Sequence, residues 1–101
     1  MTRLPAILLC LVAASAQADE ISGDWCSDLG AHLRIAGDRI TTPGGQETDG
    51  VYGRHSYEFT VPEGERDAGL TVRMQQLSEE RVIVTYEGRT PEEWHRCQVV
   101  S

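Results

Sequence analysis

The chain contains no lysine: all nine of its basic residues are arginines, scattered singly among sixteen acids, for a formal charge of −7. An acidic chain with no basic run lacks the footprint that recognises phosphate backbones or anionic bilayers, so neither nucleic acid nor a membrane surface is an expected partner. Long apolar runs are missing too. The longest, residues 4–14, covers about eleven positions, where a spanning helix needs roughly twenty. It stands between Arg3 and the small-residue stretch Ala16-Gln17-Ala18, the layout of a secretory signal peptide with cleavage expected after Ala18. That leader predicts a periplasmic or secreted bacterial protein, with no membrane insertion once the leader is removed.

Cysteine is scarce. Of three, Cys10 falls inside the expected leader, behind Leu9 where a lipoprotein site wants a small residue, which leaves Cys26 and Cys97. No Cys-x-x-Cys pair exists to complement His95-x-Cys97, so no metal centre is predicted. No serine sits in a nucleophile elbow, and no catalytic signature or cofactor motif is found, so the chain is not expected to be an enzyme. An even pair of cysteines near the two ends of an exported chain reads as one disulfide. It is needed: without residues 1–18 about 83 remain, a size that buries only about 60% of its unfolded surface. Linking residues 71 apart stabilises by about 4 kcal/mol on the chain-entropy argument.

Period-two alternation accounts for most of what is left. Ile21, Gly23 and Trp25 alternate with Ser22, Asp24 and Cys26, a strand on which Trp25 and Cys26 point opposite ways. In His32-Leu33-Arg34-Ile35 the two apolar residues share a face, Gly37-Asp38 supplies a tight turn, and residues 39–42 return as the partner strand. Residues 42–53 hold Pro43 and four glycines among polar residues, and read as a long, flexible loop. Alternation resumes over 56–61, with Tyr57, Phe59 and Val61 on one side. Leu70, Val72 and Met74 alternate toward a β-branched return run at 81–86. Leu70, Met74 and Leu77 also fall at helical spacing, so a helix over 70–80 stays open. Thr90-Pro91-Glu92-Glu93 carries the signals of a helix start, with room for one turn before a closing strand over 96–100. The sum is an all-β domain, a small antiparallel barrel or sandwich of about seven strands, with one disulfide between the chain ends.

The Gly-x-Trp of Gly23 and Trp25 on the first strand resembles the opening of lipocalins and avidin-like small barrels. The resemblance implies an up-and-down barrel with the tryptophan at its closed end and a late arginine packed across the ring, a part that Arg96 matches. Arg96 shares parity with Trp94, opposite Cys97. A junction of first and last strands therefore puts the disulfide on one face and leaves Trp25, Trp94 and Arg96 on the other, with a cation over a ring. Eight strands in 83 residues leave about ten for each strand with its turn, enough for closure but too few for a deep calyx. The Trp-Cys start and Trp-x-x-Cys finish are also similar to small exported bacterial proteins of no known activity.

The densest polar and aromatic group is Tyr52-Gly53-Arg54-His55-Ser56-Tyr57. Arg54 and His55 form a locally basic patch suited to a carboxylate or phosphate, and Tyr52 and Tyr57 flank it as groups that stack or hydrogen-bond. The plainer alternative is that Arg54 and His55 are solvated residues balancing Asp49 and Glu58. His32, His55 and His95 are too widely spaced for a metal motif, and His32 is expected to face solvent. Glu63, Glu65, Glu79, Glu80, Glu92 and Glu93 sit in turn-like segments and read as solvated surface. The functional expectation is a small exported binding or accessory protein, including an inhibitor, that contacts a protein partner or a small ligand. The alternatives are a structural envelope module without a ligand pocket and, third, an enzyme of unrecognised type.

Overall fold

A computed structural model describes residues 20–98. Eight strands follow one another: β1 Gly23–Cys26, β2 His32–Ala36, β3 Arg39–Thr41, β4 Glu47–Gly53, β5 Ser56–Thr60, β6 Thr71–Ser78, β7 Arg81–Tyr86 and β8 Glu92–Arg96. Each pairs antiparallel with its successor and β1 closes onto β8, so the sheet is a closed up-and-down barrel. The predicted class holds, with eight strands in place of about seven. The expected leader, Cys10 and the end of the expected closing strand lie outside the described residues.

Alternation sets the inside. Leu33 and Ile35 of β2, Tyr57 and Phe59 of β5, Val72 and Met74 of β6, Val82 and Val84 of β7 and Trp94 of β8 all point inward and are buried with Trp25. An eight-stranded barrel has an interior just wide enough for side chains to fill. Outward positions carry cross-strand ion pairs set by the register, with Asp24 opposite Arg34, Arg39 opposite Asp49 and Glu58 opposite Arg73. Arg34, Arg39, Arg73, Arg81 and Arg89 each meet an acid in this way or across a loop. Exposed pairs of this kind stabilise little, but they disperse the basic groups.

Two expectations are corrected, and an alternative left open is decided. Residues 42–53 are not one long loop, because β4 occupies Glu47–Gly53. Its inward positions are Thr48, Gly50 and Tyr52, none of them a β-branched aliphatic, so the sequence gives little strand signal. Gly50 stands opposite Phe59 in the ladder, and a Cβ there would lie 2.3 Å from Cε2 of Tyr57. The Tyr57 ring thus occupies the space that β4 leaves. Second, residues 71–78 form the strand that alternation suggested rather than the helix left open, since Val72, Met74 and Gln76 are buried while their neighbours are not. Third, no helix starts at Thr90: β8 begins at Glu92, where Glu92 and Glu93 pair with Val84 and Ile83 and put Trp94 inside. The pairing overrides the capping signals. The closing strand is therefore residues 92–96 rather than 96–100.

The β1–β8 seam is short, matching Trp25 with Arg96 and Cys26 with His95. Two devices reinforce it. On the outer face, Cys26 and Cys97 are joined by a disulfide, which indicates a compartment outside the cytoplasm. On the inner face, the Arg96 guanidinium lies over the Trp25 ring, 4.0 Å from its centroid. It donates from Nε to the Glu79 carbonyl (2.7 Å), from Nη1 to Ser22 (2.7 Å) and from Nη2 to Glu20 (2.6 Å). Trp25 Nε1 donates to the Ile21 carbonyl (2.8 Å). Gly23 makes the arrangement possible. Its φ is +120°, and a Cβ would stand 2.7 Å from Arg96 Nη1. The Gly-x-Trp pattern thus has a local cause: the glycine admits the arginine that covers the tryptophan. No helix among the described residues is long and apolar enough to cross a membrane.

Candidate functional site

The connections at the two ends of the barrel differ. One end is closed by two-residue turns at 37–38, 54–55 and 79–80, together with residues 20–22 and the Arg96 clamp. The other carries the connections 27–31, 42–46, 61–70 and 87–91. These four loops stand around a cavity of about 560 Å³, a volume within the range of small-ligand sites. Phe59, Val61, Tyr86 and Trp94 supply its apolar lining, and Thr42, Glu65, Asp67, Arg89 and Glu92 its polar edge.

The 61–70 loop is folded on itself by hydrogen bonds from Gly69 N to the Val61 carbonyl (2.9 Å), Ala68 N to Glu65 (3.1 Å) and Leu70 N to Asp67 (3.1 Å). It is also pinned from both sides. Glu65 crosses to the 42–46 loop, where its Oε2 accepts from Thr42 Oγ1 (2.6 Å) and Gln46 Nε2 (3.1 Å). Its carboxyl lies against Gly44, at a position where a Cβ would come within 2.5 Å of Oε1. Asp67 crosses to the 87–91 loop, where both its oxygens accept from Arg89, at 2.7 and 3.0 Å. Asp67 has φ of 69°, the left-handed region, the one non-glycine described residue to adopt it. Aspartate tolerates that conformation better than most residues.

The electrostatics follow from these contacts. The Arg89 hydrogen bonds hold the Asp67 carboxyl below the usual aspartate range. Arg89 also stands over the Tyr86 ring, 5.8 Å from its centroid. Burial raises the Tyr86 phenol, and the Asp67 charge adds to the rise. Trp94 Nε1 donates to Glu92 Oε1 (2.9 Å), fixing a carboxylate above the aromatic floor. At the tip of the 27–31 loop, Leu29 is 94% exposed. Its backbone is held there by Ser27, whose Oγ accepts from Leu29 N (3.2 Å) and Ala31 N (3.0 Å).

The residues singled out in the sequence lie at the closed end. Arg54 and His55 are the exposed central residues of the β4–β5 turn, and their carbonyls accept from Ile21 N (2.9 Å) and Gln76 N (2.8 Å). Tyr52 is half-buried and donates from its hydroxyl to Glu20 Oε1 (2.5 Å). Its pKa is raised, first by that bond and then by burial. Tyr57 is buried in the core, edge-on to Tyr52 at 6.4 Å. Its hydroxyl has no hydrogen-bond partner among the described residues, and burial pushes its pKa up to about 12. The four therefore share a neighbourhood but not a surface. Among the described residues no three His, Cys, Asp or Glu side chains are grouped to hold a metal. His32 bonds Asp24 (2.8 Å) and His95 bonds Glu93 (3.1 Å) on the outer face.

Sequence reasoning missed the mouth. Glu65 and Glu92 looked like solvated turn acids, and nothing local marks them otherwise. The available signal was the alternation of short and long connections, and reading β4 as loop concealed it.

No protein-family model matches the chain, and no curated protein or solved structure matches it either. The reading of the site rests on its geometry.

Proposed function

We propose that this is a small binding or accessory protein, periplasmic or secreted, which contacts a small ligand or a segment of a partner protein through the mouth of its barrel. The observation that carries the reading is the cavity of about 560 Å³ with an aromatic floor, bounded by four loops, three of which are cross-braced to one another. Leu29 adds to it, because a loop braced to present a leucine to water places an apolar contact at the rim. The loops are where a rigid barrel carries its recognition residues. The mouth carboxylates are fixed by donors, an arrangement suited to holding a ligand in register rather than to exchanging protons with it. The function read here is accordingly binding, not catalysis.

The test is a titration of the ¹⁵N-labelled protein with a fragment library and then with a fractionated periplasmic extract. Binding at the mouth shifts the Thr42 and Tyr86 amides and the Trp94 indole signal. An Arg54→Ala/His55→Ala variant should bind as the parent does. Loss of binding in that variant, with mouth signals unmoved in the parent, would transfer the site to the closed end.

A further inference from the structure

The mouth's polar edge has a sign. Of the acids and bases around the cavity, Glu65, Asp67 and Glu92 face Arg66 and Arg89. Arg89 is engaged by both oxygens of Asp67, so its guanidinium fork is already filled and the pair is neutral as a unit. What remains is two carboxylates against the exposed Arg66, in a chain whose overall charge is −7. The two carboxylates are also placed in advance. Glu65 is half-buried and anchored through Oε2 by Thr42 and Gln46, while Oε1 accepts no hydrogen bond within the described residues. Glu92 is anchored through Oε1 by the Trp94 indole, and its Oε2 likewise accepts no hydrogen bond within the described residues. A carboxylate has room for about four donors. Each is thus oriented through one oxygen, while the other, which for Glu65 packs beside Gly44, accepts no hydrogen bond from the described residues.

Resting on the mouth as the binding site, we propose that its ligand is a small amphiphilic cation, an amine whose charged nitrogen donates to Glu65 Oε1 while its aromatic or branched aliphatic part packs on Phe59, Tyr86 and Trp94. Glu92 contributes the second negative charge near the nitrogen. An ammonium brings donors and no acceptors, which complements acceptors that are already fixed in place. An anion of the same shape meets two carboxylates, with the Arg89 fork closed to it and only the exposed Arg66 left to offset them. The apolar floor selects for the body of the ligand, and the carboxylates for its charge.

Three probes with the same phenethyl body separate these two contributions: 2-phenylethylamine, 2-phenylethanol and 3-phenylpropanoate, each titrated at low ionic strength against the labelled protein. The amine should bind on the order of tenfold tighter than the alcohol, the scale of one charge-assisted hydrogen bond. The carboxylate should bind weakest, and added salt should narrow the spread. Glu65→Gln keeps an acceptor for Thr42 and should reduce amine affinity about tenfold while leaving the alcohol unchanged. Glu92→Gln should reduce it less. An unchanged dispersion of amide signals checks that each variant is folded. Equal binding of all three probes at the mouth overturns the charge selection and leaves the mouth as a binding site. Tighter binding of the carboxylate overturns it outright. If no probe shifts a mouth signal, the binding reading of the mouth fails together with this one.

Discussion

At the closed end, three turns of two residues each and a three-carbonyl clamp from Arg96 leave the backbone little freedom; at the mouth, the connections are longer and are held by side chains reaching from loop to loop. Both ends are ordered, but by different forces. Closed-end contacts are hydrogen bonds to backbone carbonyls and a cation on a buried ring, beside a β1–β8 seam tied by the disulfide. Mouth contacts are ion pairs and hydrogen bonds between side chains at the surface, which water and salt compete with directly. A barrel stabilised mainly at one end can vary the chemistry of the other without unfolding. The residues whose variation would be tolerated are the ones positioned to meet a ligand.

That contrast can be broken by experiment. The largest effect is expected from Cys26→Ser/Cys97→Ser, which should lower unfolding free energy by about 4 kcal/mol in urea denaturation. A loss under about 1 kcal/mol would mean that the two-residue β1–β8 ladder and Arg96 close the barrel unaided. Next comes Arg96→Ala, expected to cost about 2–3 kcal/mol through the lost charged hydrogen bonds and the ring contact. Arg96→Lys should recover less than half, since an ammonium has no planar fork with which to span three carbonyls. Full recovery by lysine would reduce the clamp to a charge.

Tyr57→Phe tests whether the sequence-selected tyrosine has any role beyond packing. Removing a buried hydroxyl that lacks a partner among the described residues should leave stability unchanged or raise it by about 1 kcal/mol. The same residue gives an alkaline signature. Its pKa is raised in the folded state, to about 12, so the neutral form is favoured by folding. That contribution is complete below the ordinary tyrosine value near 10 and is lost as pH rises toward 12. The parent should destabilise across that window more steeply than Tyr57→Phe, read by denaturation midpoints at pH 9, 10 and 11. Equal slopes would assign the alkaline response elsewhere.

The smallest effect is expected at the mouth. Arg89→Ala should move the denaturation midpoint in neutral buffer by less than a closed-end variant does, yet change the acid response. The Asp67 carboxyl is held below its ordinary value by Arg89. Its contribution is therefore present above the unfolded aspartate value and lost as pH falls through the lowered one. Without Arg89 that part of the acid sensitivity should vanish, seen as a flatter midpoint between pH 5 and pH 2. A large loss of stability at neutral pH would show that the mouth, too, holds the fold together.

Strands with aliphatic alternation were readable without a structure, as at Leu33 and Ile35 or Val82 and Val84, because each inward residue carries its own signal. The pairing of Cys26 with Cys97 was readable because so short a chain has few other ways to be closed. Strand β4 was not readable. Its inward positions are a threonine, a glycine and a tyrosine, and Gly50 is explained by a ring supplied from β5. The candidate patch at Arg54 and His55 was conspicuous because its residues are adjacent in the chain. The mouth was inconspicuous because Thr42, Glu65, Asp67, Arg89 and Trp94 belong to segments far apart in it.

By itself the sequence determined an all-β domain, its inward residues over most strands, and a covalent tie between its ends, since these depend on local periodicity and on the number of cysteines. Tertiary structure alone decided that all the long connections gather at one end and that Glu65 and Asp67 brace neighbouring loops across it. Such contacts depend on which strands become neighbours, and that is settled when β8 closes on β1 and places Arg96 over Trp25.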